Sequence, residues 1–135
     1  MVKKGEGLSE QDQTKMQRWW YQPGSTTHVT GTPELELWVA TKDFDTGKTG
    51  RLVAGLYDCP ATPSNCTLLT TGGASFNQSA FGHDFGRVVI TMGQVDTQLT
   101  SGRGLMLKIA VPGNSDDDLW IAYGTSTYPS AFTVS

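Results

Sequence analysis

Aromatic rings and carboxylates are the side chains of this sequence best suited to chemistry. Trp19, Trp20 and Tyr21 are consecutive, and Trp38, Trp120, Tyr123 and Tyr128 follow. Exposed indole and phenol rings stack on sugar rings, with nearby polar groups supplying hydrogen bonds. Successive strand residues point to opposite faces, so Trp19 and Trp20 cannot both enter one core if their segment is extended. At least one must meet solvent, a partner or another layer. Trp19, Trp20, Tyr21, Trp38 and Tyr128 are therefore the candidate ligand-contacting residues. A competing reading places Trp38 and Trp120 in the core or at its rim.

The carboxylates form two sets. Asp116, Asp117 and Asp118 are adjacent, and such charges repel one another unless a cation is near. Asp43 and Asp45 flank the turn Asp43-Phe44-Asp45-Thr46-Gly47. Oxygen ligands of this kind suit Ca²⁺, so Asp43, Asp45, Asp116, Asp117 and Asp118 are candidate ligands of a structural calcium. No other cofactor is expected. The later ligand positions and closing Glu of a calcium loop are absent. Solvated turn Asp residues that accept backbone N–H groups are the alternative.

Nucleophilic catalysis needs a nucleophile, a His and a carboxylate brought together. The chain has two His, His28 and His83, and no Gly-x-Ser-x-Gly elbow. A hydrolase built on Asp pairs would lack its acid–base partner. The expectation is a protein that is not an enzyme. Cys59 and Cys66 bracket Pro60-Ala61-Thr62-Pro63-Ser64-Asn65, a turn-forming insert whose flanks come within disulfide reach. Neither His has the paired spacing of a zinc site. A disulfide here implies maturation in an oxidising compartment.

These groups need a scaffold, and alternation supplies one. In residues 34–41, Leu35, Leu37 and Val39 face one way and Glu34, Glu36 and Trp38 the other. Further strands read over residues 51–58, 66–70, 86–92, 104–111, 118–123 and 131–134, separated by turn clusters at 45–50, 71–73, 101–102 and 112–115. Residues 9–18 suit a capped helix, but an extended strand over 15–21 is preferred. Short strands with short connections predict an all-β, antiparallel, jelly-roll-like β-sandwich. Residues 1–135 read as one domain, with 1–14 irregular or an incomplete N-terminal strand. Charged residues make up 17% of the chain and the net charge is −3, which argues against nucleic acid as a partner. No apolar run is long enough to span a bilayer, and no signal peptide is recognisable.

Several segments together resemble a β-sandwich domain near the C-termini of exported or envelope-associated bacterial proteins, many of them actinobacterial. They are Lys15-Met16-Gln17-Arg18-Trp19, residues 37–44, Gly47-Lys48-Thr49-Gly50, and residues 117–123 through Thr127-Tyr128-Pro129-Ser130. The resemblance implies a fold and an extracellular or surface location more than an activity. Gly124 stands where the family pattern has Asp, and the family's first strand is clipped, which implies an unpaired sheet edge. The functional expectation is a non-catalytic surface or accessory module that binds glycan. The alternative is a structural or assembly subunit that contacts other protein subunits through the open edge and an aromatic patch.

Overall fold

The computed structural model describes residues 2–9, 15–22, 24–60, 65–122 and 131–134; Tyr123 and Tyr128 lie outside them. The chain is all-β. Its strands are β1 (Lys4–Gly5), β2 (Met16–Tyr21), β3 (Thr27–Gly31), β4 (Pro33–Thr41), β5 (Thr49–Cys59), β6 (Thr67–Asn77), β7 (Gly86–Thr91), β8 (Val95–Leu99), β9 (Gly104–Pro112), β10 (Leu119–Ala122) and β11 (Ala131–Val134). Residues 16–21 are strand, as preferred over helix.

Two main sheets pack face to face. In the first, β9 lies between β2 and β5, β6 continues beyond β5, and β1 runs parallel to the end of β9. In the second, β4 pairs with β7 on one side and with β10 and then β11 on the other. β3 and β8 form a separate antiparallel pair. The core joins Leu35, Leu37 and Val39 of β4 to Leu52, Ala54 and Leu56 of β5 and Leu105, Leu107 and Ile109 of β9. Alternation on these strands directs every second residue inward, as the sequence pattern requires.

Four local expectations change. β6 runs on through Thr71-Gly72-Gly73, which read as a turn. A side chain at Gly72 would sit 2.7 Å from the Thr91 carbonyl oxygen, so glycine allows β6 to pass close to the end of β7. β3 and β8 carry too few apolar residues to stand out from the sequence. Trp38 and Trp120 lie on the outer face of the second sheet, not in the core, because they pair with Ala122 and Ala40 on the face opposite Leu37, Val39 and Ile121. Finally, the N-terminal segment is paired. Val2 exchanges backbone hydrogen bonds with Leu119 at 2.8 and 2.9 Å, and Lys4 N–H donates to Asp118 Oδ1 at 2.8 Å. Residues 2–5 therefore bridge the two sheets, and this part of the edge is filled.

The Cys59–Cys66 disulfide closes the end of the β5–β6 hairpin. A link across so few residues stabilises by about 2–3 kcal/mol in the chain-entropy model. Replacing both cysteines with Ser is expected to lower Tm by roughly 8 °C in calorimetry. An unchanged Tm would mean that the hairpin end is fixed by other contacts.

Candidate functional site

The outer face of the first sheet carries an aromatic stripe. Residues directly opposite on antiparallel strands share a face. Trp20 pairs with Met106, Met106 with Tyr57, and Tyr57 with Leu68, so one row crosses β2, β9, β5 and β6. A bulge on β6 at Leu69 sets this register, with Leu56 opposite Thr70 and Tyr57 opposite Leu68. Without that extra residue, Leu68 would fall on the other face.

Trp20 leans along the sheet onto Gly104. A Cβ there would stand 2.5 Å from Trp20 Cη2 and 2.9 Å from Cε2, so only glycine leaves room for the ring. Gly104 in turn pairs with Cys59, which puts the disulfide in the row over which the indole lies. Trp20 still keeps 38% of its surface open. The result is an aromatic platform with one side seated on the sheet.

Tyr57 leans the other way, toward Gly55, where a Cβ would sit 3.1 Å from its Cε1 and 3.1 Å from Leu8 Cδ1. Residues 7–9 roof this half of the face, and Lys108 Nζ donates to the Leu8 carbonyl at 2.6 Å. That roof explains why β9 is buried on both faces. Burial pushes the Tyr57 phenol above its usual range, so it stays protonated at neutral pH.

Trp19 and Tyr21 fall on the opposite side of β2 from Trp20, opposite Leu107 and Leu105, and both are exposed. Nearby, Gln22 Nε2 donates to the Gly102 carbonyl at 2.9 Å, and Arg103 Nε donates to Asp58 Oδ1 at 2.7 Å. Arg18 lies on the Trp20 side of β2, exposed, opposite Lys108.

The second sheet shows another aromatic surface. Trp120 is 37% exposed, and Trp38 pairs with Arg87, whose Nε meets Glu36 Oε1 at 2.8 Å. Hydrogen bonding to Arg87 holds the Glu36 carboxyl below the ordinary carboxylate range. The structure thus separates the sequence candidates: Trp20 is on one outer face and Trp38 on the other. Tyr128 lies outside the described residues.

The carboxylates act as backbone acceptors. Asp45 Oδ1 accepts Gly47 N–H at 2.9 Å, Asp116 Oδ2 accepts Thr49 N–H at 2.8 Å, and Asp117 Oδ1 accepts Asp118 N–H at 2.9 Å. Asp43 is exposed at φ 59, a left-handed conformation that Asp tolerates. Among the described residues no three His, Cys, Asp or Glu side chains converge as metal ligands. His28 Nε2 meets Asp96 Oδ1 on the exposed β3–β8 pair, and among the described residues no hydroxyl is hydrogen-bonded to that ring.

No family model matches the sequence, and no curated protein does. Solved structures do share the fold. A CocE/NonD family hydrolase from Staphylococcus aureus is similar at TM-score 0.72 and 14% identity, over 91% of this chain and 30% of that one. An aminopeptidase from the marine sediment archaeon Thaumarchaeota archaeon is similar at 0.65 and 16%, over 91% and 26%. An α-amino acid ester hydrolase is similar at 0.65 and 11%, over 90% and 25%. The chain spans less than a third of each of those proteins, and at these identities the likeness is one of fold: this is a β-sandwich of the kind found within much longer hydrolase chains.

Proposed function

We propose that this chain is a non-catalytic accessory module of the cell or particle exterior that holds a glycan against Trp20. The observation that carries the reading is the indole seated on Gly104 with its remaining surface open. A ring fixed in this way loses little freedom on binding, which favours stacking on a sugar face. An amide oxygen for the sugar hydroxyls stands at Gln22, whose Nε2 is held by the Gly102 carbonyl. The disulfide supports an oxidising location. The fold's recurrence within chains three to four times as long supports an accessory role.

Affinity electrophoresis against a panel of soluble polysaccharides tests the reading. Trp20→Ala is expected to weaken retention at least tenfold. Gly104→Ala keeps the tryptophan but pushes its ring off the sheet, and should weaken retention similarly. Binding that survives both changes would place the site elsewhere; absence of binding across the panel would remove the glycan.

A second reading, an assembly subunit, is favoured by β2 itself. Among the described strands it pairs with β9 alone and carries exposed Trp19 and Tyr21 on its other side. Light scattering at rising concentration separates the two: assembly predicts a growing mass, and the accessory module a constant one.

A further inference from the structure

We infer that the Trp20 platform takes a carboxylate-bearing polysaccharide, a polyuronate, and that Arg18 reads its charge. This inference rests on the glycan reading of the platform and adds the ligand's chemistry. Residues 15–22 contain Lys15 and Arg18 and no Asp or Glu, in a chain whose net charge is −3. β2 and the residues flanking it thus carry positive charge in an acidic protein. Arg18 and Trp20 are two residues apart on a strand, so they project to the same face with Cα atoms about 7 Å apart. Their partners on β9, Lys108 and Met106, confirm the shared face.

Arg18 is exposed, and its guanidinium has no acidic partner among the described residues. Arg87 and Arg103, by contrast, are paired with Glu36 and Asp58. An Arg committed to a structural ion pair has little left for a ligand; among the described residues nothing occupies the planar fork of donors of Arg18. Such a fork matches a carboxylate in two parallel hydrogen bonds. Trp20 leans toward Gly104, away from Arg18, so ring and guanidinium contact successive positions along β2. A polymer running along the strand would stack one sugar on the indole and present the carboxylate of a neighbouring sugar to Arg18. A neutral glycan would gain nothing from the guanidinium.

The test compares polygalacturonate, alginate and hyaluronate with fully methyl-esterified polygalacturonate and a neutral galactan. Methyl esterification keeps the sugar backbone and removes the charge. Wild-type protein is expected to bind at least one polyuronate, and polygalacturonate about tenfold more tightly than its methyl ester. Arg18→Gln should weaken polyuronate binding about tenfold and leave any neutral binding unchanged. Lys42→Gln, which removes the same charge from the turn after β4, should have no effect. Raising the salt concentration should narrow the gap between acid and ester, because exposed charges are screened. Equal binding of acid and ester, or an Arg18→Gln protein that binds as wild type, overturns the inference and leaves the platform standing. Retention by galactan with none of the three polyuronates bound does the same. No retention by any polymer overturns both.

Discussion

Replacing Ile109 with Ala is expected to destabilise the protein by about 3–4 kcal/mol, a large share of a single domain's stability. Ile109 is fully buried and pairs with Ala54 and Gln17 at the middle of the first sheet. Its side chain faces β4 of the second sheet, in the cluster with Leu37 and Val39. Truncation removes transfer free energy and leaves a cavity that two rigid sheets cannot close. Leu68→Ala is the matched control. Leu68 lies on the same sheet but on the outer face, and it is exposed. Its truncation should change stability by no more than about 0.5 kcal/mol. Urea titration reads both, and the midpoint should fall for Ile109→Ala with little change in slope. Equal losses for the two variants would mean that the face assignment of the first sheet is wrong.

Gln78→Ala is the second large effect, and it acts through polar groups. Gln78 is fully buried in a 3-10 turn. Its Oε1 accepts the Thr41 N–H at 2.8 Å and the Thr41 hydroxyl at 3.4 Å. Its Nε2 donates to the carbonyls of Gly82 and Asp84 at 2.8 and 2.9 Å. One amide thus ties the end of β4 to the loop before β7. Truncation leaves the buried Thr41 N–H without its acceptor and gives up the amide's two bonds to the Gly82 and Asp84 carbonyls, at a cost of about 2–3 kcal/mol. Hydrogen exchange adds a local readout: the Thr41 amide should lose its protection while amides in the middle of β9 keep theirs. Full retention of Thr41 protection would show that water or another group replaces the glutamine.

The sequence made some parts of this legible and hid others for identifiable reasons. Alternation in β4, β5 and β9 is strong because one face of each is fully buried, so the inward residues could be read directly. Cys59 and Cys66 are local in sequence, and their pairing was visible from the turn between them. β3 and β8 were missed. Their apolar residues, Val29 in one and Val95 and Leu99 in the other, are spaced by Thr, Asp and Gln. The period-two pattern Val95-x-Thr97-x-Leu99 is a signal that could have found β8. Strand alternation showed that Trp19 and Trp20 must diverge. It could not say which one would gain a platform, because that depends on register with β9, which lies more than eighty residues away. Gly104 carried no mark beyond starting a strand, and Gln78 none at all: the groups it satisfies come from two separated segments. Trp38 and Trp120 are on the outer face of the second sheet, and the alternation of Trp38 with Glu34 and Glu36 already pointed outward.

An indole-resolved NMR titration addresses the platform most directly, because each of the four tryptophans carries one ring N–H to follow. Adding polygalacturonate should move the Trp20 signal and the Gly104 and Arg18 amides, while the Trp38 and Trp120 signals stay in place. Shifts concentrated on Trp38 and Trp120 would move recognition to the opposite sheet, and a spectrum unchanged at saturation by each polyuronate and by galactan would contradict the account.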